Sequence, residues 1–392
     1  MLAATVRVTR DLDAAEEAVQ DAYVQALRTW ARDGVPERPG AWLTTVARRN
    51  ALNVLRRRQT FATKLALLLE PENTEMPEPD TDTIPDDRLR LIFVCCHPAL
   101  AQEAQVALTL RLVCGVATPD IGQAFLVAGT TMAARLTRAK KKIAAARIPY
   151  AVPSADELPE RVDAVLTVIH LLYATGHTAH SGEDLVRDDL TARALDLARM
   201  LALLLPADRE VAGLLALLLV HHARRATRTD ARGRLLRLEE QDRCTWDREL
   251  IAEADQLVVA ALRAGPPGRF TLQAAIAALH AQAPSYAQTD WPQILRLYDE
   301  LLRIWPSPVV ALNRAVVVSM VDGPLDALAE VEALERDGRL AGYRYLPATK
   351  ADLLHRLGRD AEAADAYRAA LALSDNAAEQ EFLAGRVRSF ER

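Results

Sequence analysis

The chain has 392 residues, half of them hydrophobic and only 5% aromatic. That length predicts two or three domains, and the abundance of alanine and leucine favours packed helices over sheets, an all-α protein. The net charge of −5 hides an asymmetry, +3 over residues 1–150 and −8 over the remainder, which excludes the second part as a DNA-binding element by itself.

Cys95, Cys96, Cys114 and Cys244 are too few and too scattered for a disulfide framework. No leader pattern opens the chain, and no apolar run reaches the length of a membrane span. The most apolar stretches, residues 201–205 and 214–220, are separated by Pro206, Asp208, Arg209 and Glu210. A cytoplasmic protein without a membrane partner is expected.

The first predicted helix covers residues 12–30. Ala15, Ala18, Val19, Ala22, Tyr23, Ala26, Leu27 and Trp30 form one wide apolar face, with Glu16, Glu17, Gln20, Asp21 and Gln25 elsewhere. A loop at 33–40 follows, marked by Gly34, Pro36, Pro39 and Gly40. A second helix starts near Ala41 and runs through Trp42, Val46, Leu52 and Leu55 into Arg56, Arg57 and Arg58. Residues 48–69 hold six basic residues and no acidic one.

Residues 70–87 differ in kind, with eight acidic residues, no basic residue and Pro71, Pro77, Pro79 and Pro85. Such a stretch lacks the apolar surface needed to fold and reads as a flexible acidic linker. The expected domains are therefore 1–69, a linker at 70–86, a second helical unit at 87–148, and a helical region at 149–392.

The second unit ends in a helix-turn-helix pattern at 118–143. Thr118 is placed to cap a helix with Pro119 at its first position, and Ile121, Ala124 and Phe125 give it a buried stripe. Gly129 suits the turn, and Thr130 or Thr131 would cap the next helix. There Met132, Leu136, Ala139 and Ile143 form an apolar stripe, while Thr131, Ala134, Arg135, Arg138 and Lys142 project from another face. From Arg135 to Arg147 there are six basic residues and no acidic one, the makeup of a helix that enters a DNA major groove.

In the acidic third part, two segments carry tetratricopeptide-like spacing. Residues 351–375 place Leu354, Leu357, Gly358, Ala363, Tyr367, Ala370 and Leu371 at repeat-like positions. Residues 308–334 do so with Ala311, Asn313, Ala315, Gly323, Ala327 and Leu334. Stacked helical pairs fit the whole region.

Together these features resemble one family. The stretch from Ala15 through Glu16, Glu17, Ala18, Val19, Gln20, Asp21 and Ala22 to Tyr23 is similar to sigma region 2. Ala41, Trp42 and Leu43, then Ala47 to Asn50 and Leu55 to Arg57, continue that signature. Ile121, Thr131, Met132, Arg135, Leu136, Arg138, Ala139 and Lys140 fit the region 4 pattern. The chain thus resembles the extracytoplasmic-function sigma factors of bacterial RNA polymerase, in the sigma-70 superfamily. It is most similar to the subgroup with a tetratricopeptide-like C-terminal extension.

The resemblance implies a role for each motif. Glu16, Glu17, Gln20 and Asp21 would face the polymerase core. Arg48, Arg49, Asn50, Asn53, Arg56 and Arg57 would meet the −10 element, arginines neutralising phosphates and asparagines reading base edges. Trp30 and Trp42 flank the 33–40 loop, which in the family receives an unstacked base; they either stack on bases or pack as core. Thr130, Thr131, Ala134, Arg135, Arg138 and Lys142 would read the −35 element. The family's extension is regulatory, so a protein partner on residues 149–392 is implied. Two departures stand out. Met1 lies close ahead of the region 2 stretch, where relatives carry another helix, so either the start lies upstream or region 2 is abridged. Gly122 replaces the usual alanine after Ile121, at a cost of up to about 1 kcal/mol in a helix.

Catalytic and metal chemistry find no support. Cys95, Cys96 and His97 have no second paired-ligand motif nearby and read as structural. His170, His177, His180, His221 and His222 lack the HExxH spacing and read as core or surface residues. No cofactor is expected. A helix-turn-helix repressor with a ligand- or protein-sensing region is the competing reading; it needs only one DNA-binding unit, and this sequence offers two.

Overall fold

The computed structural model describes residues 1–66, 87–125, 127–151, 153–154, 156–178, 181–182, 186–230 and 233–390. The expected linker at 70–86 lies outside them. The described residues form an all-α protein of eighteen α-helices. Regular strand pairing among them is confined to β1 (Ser181–Gly182) and β2 (Asp375–Asn376), which run parallel. The chain divides into two compact units, Met1–Val168 and Ile169–Arg392.

The first unit contains α1 (Leu2–Thr9), α2 (Leu12–Asp33), α3 (Pro39–Ala66), α4 (Asp87–Cys95), α5 (Gln102–Leu112), α6 (Thr118–Ala124), α7 (Gly129–Ala145) and the start of α8 (Leu158–His177). Asp11 caps α2, accepting the Ala14 N–H at 3.0 Å. Ala15, Ala18, Ala22 and Ala26 repeat along one line of α2 and are almost fully buried. With side chains this small, α3 can approach closely and lay Val46, Ala47 and Ala51 against them.

A short helix, α1, does stand ahead of the region where none was expected. Ala3, Thr5, Val6 and Thr9 are its buried residues, and it packs against α2, α3 and α4. The Tyr150 hydroxyl pins it from the other end of the unit, 3.0 Å from the Ala3 carbonyl and 2.9 Å from that of Asp87.

The second unit continues with α9 (Asp188–Leu204), α10 (Arg209–Ala223), α11 (Arg248–Arg263), α12 (Arg269–Gln282) and α13 (Trp291–Ile304). It ends with α14 (Pro308–Val321), α15 (Pro324–Asp337), α16 (Tyr345–Arg356), α17 (Asp360–Ala372) and α18 (Ala377–Phe390). From α9 onward each helix packs on the next in sequence, the nearest-neighbour order of stacked helical pairs. Asp208, Asp247 and Asp290 cap α10, α11 and α13. The two repeat-like segments become the pairs α14–α15 and α16–α17. Gly323 at φ 112° and Gly358 at φ 75° make their turns, a backbone that a side chain would strain.

A buried ion pair anchors the end of this unit. Glu379 accepts from Arg344 Nη2 at 3.1 Å, from the Tyr345 hydroxyl at 2.6 Å and from the Ser374 hydroxyl at 3.1 Å. It is only 4% exposed, so these donors replace its water.

Candidate functional site

The face of α2 opposite its alanines carries Asp13, Glu17, Gln20, Asp21, Val24 and Leu27, all exposed. Tyr23 and Leu27, expected on the buried face, are 52% and 76% exposed instead. The alanine line is narrow, so α3 covers less of α2 than the apolar count suggested. An acidic surface with Tyr23, Val24 and Leu27 beside it is suited to a protein partner, combining charge steering with apolar area. Those three residues were missed as site candidates.

Glu16 does not share that openness. Lys140 of α7 donates to its Oε2 at 2.8 Å and to Asp13 Oδ1 at 2.6 Å. Arg111 of α5 lies 4.0 Å from the other oxygen of Glu16. Both Lys140 and Glu16 side chains are only 20% exposed. Among the four residues expected to face a polymerase, Glu17, Gln20 and Asp21 are thus exposed and Glu16 is paired within the unit.

On α3, Arg49, Asn53 and Arg56 share the exposed face opposite Ala47 and Ala51, while Arg48 and Asn50 are half-buried. The Arg57 side chain lies outside the described residues. Trp42 packs against Trp30, ring centroids 5.4 Å apart at 59°, and joins the cluster of Ala22, Val46 and Ala47. In this arrangement Trp42 packs on the core and Trp30 packs on Trp42, beside a loop that is shorter than expected, 34–38, because α2 runs to Asp33 and α3 begins at Pro39.

Helices α6 and α7 meet through a tight turn, and its details differ from expectation. Helix α6 begins one residue early, at Thr118, with Ile121 N–H bonded to the Ala117 carbonyl. Helix α7 begins at Gly129, and its N-cap is Ala128 without a side-chain bond, so neither Thr130 nor Thr131 caps it. Gly122 is where the turn needs room: a Cβ there would lie 2.9 Å from the Val127 carbonyl oxygen. The glycine that reads as a helix defect is what lets the turn close.

Met132, Leu136, Ala139 and Ile143 are buried as a stripe along α7. Thr130, Thr131, Ala134, Arg138 and Lys142 occupy a continuous exposed sector. Arg135 edges that sector and donates to Glu103 of α5 at 2.9 Å. Lys140 projects from the other flank of the stripe. Its engagement with α2 therefore leaves the basic sector open.

Cys95 and Cys96 are buried on α4 and just after it. Burial pushes the Cys96 thiol up to about 12, against the Thr109 hydroxyl 3.9 Å away, and raises Cys95 well above its ordinary value. Such thiols stay protonated at neutral pH. Among the described residues, no three His, Cys, Asp or Glu side chains are grouped to hold a metal ion. No described helix is long and apolar enough to cross a membrane. His170 packs against Phe270 at 5.6 Å, and His180 lies outside the described residues.

Residues 2–61, which span α1, α2 and most of α3, match the sigma-70 region 2 family. Residues 161–262 match a family of unknown function, DUF6596. The chain is 45% identical over 387 residues to "Uncharacterized protein R00370" of Rhizobium meliloti (strain 1021), covering 97% of this chain and 91% of that protein. No solved structure matches the chain.

Proposed function

Because the chain belongs to one family with the R00370 protein of Rhizobium meliloti and carries a sigma-70 region 2 domain, we propose that it is a sigma factor of the extracytoplasmic-function type. The observation that carries this reading is the region 2 match, set on a helix whose exposed face bears Glu17, Gln20, Asp21, Val24 and Leu27. That face is the proposed contact with the polymerase core in the cytoplasm. Arg48, Arg49, Asn50, Asn53, Arg56, Arg57 and Trp42 are assigned to the −10 element.

The α6–α7 pair is the proposed helix-turn-helix of region 4. Thr130, Thr131, Ala134, Arg135, Arg138 and Lys142 are its −35 contacts, supported by their common exposed sector. Residues 70–86 would link the two promoter-binding parts. Residues 149–392 are the proposed regulatory region, and sequential packing of α14 to α17 supports the tetratricopeptide-like reading. The Lys140 clasp supports a closed resting form, in which polymerase must compete with Lys140 for Glu16 and Asp13.

The test is core binding. The full chain, labelled with a fluorophore, is titrated with purified core RNA polymerase, and promoter DNA is added afterwards. Saturable binding to core and promoter binding that requires core support a sigma factor. Tight promoter binding by the chain alone, without affinity for core, would favour the repressor.

A further inference from the structure

The unit Ile169–Arg392 contains a cleft of about 310 Å³, at the lower end of the size range of small-molecule sites. Arg224, His221, His280, Gln273 and Tyr298 supply its polar wall, Ile276 and Trp246 part of its apolar wall, and no acidic residue lines it. Arg224 ends α10 with its Nη2 3.0 Å from His221 Nδ1. Its Nε is buried without a partner, and no carboxylate among the described residues pairs with its guanidinium. His280 Nδ1 is likewise buried and unpartnered.

Neighbouring cations do not relieve this. Arg228 is occupied with the His177 carbonyl and the Thr178 hydroxyl, and Arg243 with the His280 and Ala283 carbonyls. Burial and the surrounding arginines lower Arg224 to about 10, which leaves it charged at neutral pH. Burial and Arg224 lower His280 to about 4 and take His221 well below its usual value, so both rings are neutral. The wall therefore carries one positive charge, faced by neutral hydrogen-bonding groups. The α10 dipole offsets part of the cost of that charge but leaves the orphaned Nε unexplained.

We propose that this cleft binds a small monocarboxylate with an apolar or aromatic body, its carboxylate paired with Arg224 and its body against Ile276 and Trp246. A planar guanidinium matches a carboxylate in geometry and charge, whereas a phosphate dianion would leave one charge unmatched. Binding at this site can be read without polymerase, so it stands or falls separately from the sigma assignment.

The experiment uses the full chain with benzoate and octanoate, their neutral amides, and phenyl phosphate, at matched ionic strength. Thermal melting and titration calorimetry are the readouts. At least one carboxylate is expected to bind and raise the melting temperature, with its amide and phenyl phosphate at least about tenfold weaker. Arg224→Met should abolish that response while the variant still unfolds cooperatively, because the cation that pairs with the carboxylate has been removed. Arg224→Lys keeps the charge and should retain weakened binding, a control should the methionine variant not fold. Absence of any carboxylate response in the wild type overturns the proposal. So does an undiminished response in Arg224→Met, or preference for an amide or for phenyl phosphate.

Discussion

Lys140 and Glu16 meet at 2.8 Å, joining α7 to α2 across 124 residues of sequence. Asp13 shares the same ammonium at 2.6 Å. Desolvation opposes the charge on Lys140, but its bonds to Asp13 and Glu16 outweigh that and raise its pKa. A raised lysine contributes its full stability below the unfolded value of about 10.4 and loses it as pH climbs through the folded value. The clasp is thus intact at neutral pH and is lost as Lys140 deprotonates in alkali.

Lys140→Glu should open it. Replacing the shared cation with a third carboxylate is expected to lower the stability of the first unit by about 1–2 kcal/mol in urea denaturation. If the clasp competes with polymerase, core affinity rises by a similar free energy, about fivefold to thirtyfold. Unchanged affinity, with the stability loss observed, would mean that the clasp is structural only.

The exposed α2 face gives a prediction with the opposite sign. Leu27 is 76% exposed, so Leu27→Glu should leave stability within about 0.5 kcal/mol. Core binding, measured by fluorescence titration, should weaken by at least about tenfold, and Asp21→Arg should do likewise.

Arg135 separates DNA contact from polymerase contact. Its truncation to alanine should reduce promoter use by about tenfold or more, the loss of a base or phosphate contact, while core affinity holds. Equal losses in both assays would remove Arg135 from the −35 surface. Because Glu103 holds Arg135 at 2.9 Å, Glu103→Ala is expected to strengthen promoter binding slightly.

Glu379 tests the second unit. Glu379→Ala leaves Arg344 largely buried without its carboxylate and should cost about 3–5 kcal/mol in chemical denaturation. Glu379→Gln retains hydrogen-bonding atoms and should cost less.

Much of this architecture is legible in the sequence because the signals are local. Ala15, Ala18, Ala22 and Ala26 mark one helix face by spacing alone, as do Met132, Leu136, Ala139 and Ile143. Gly323 and Gly358 mark the turns of the two repeat-like pairs. What spacing cannot supply is which neighbour covers a face. Tyr23 and Leu27 sit on the apolar arc of α2, yet the described residues of the unit leave them 52% and 76% exposed. Gly122 reads as a helix defect until Val127 is seen folding back over it. The Lys140 clasp and the Arg224 cleft join residues far apart in the chain, and neither belongs to a local motif.

The most direct measurement is run-off transcription with the full chain, purified core polymerase and a template carrying the promoter of its own operon. The sigma assignment requires a discrete product that depends on the chain, is reduced by Arg135→Ala and Leu27→Glu, and is increased by Lys140→Glu. No product from either the wild-type chain or Lys140→Glu would contradict it.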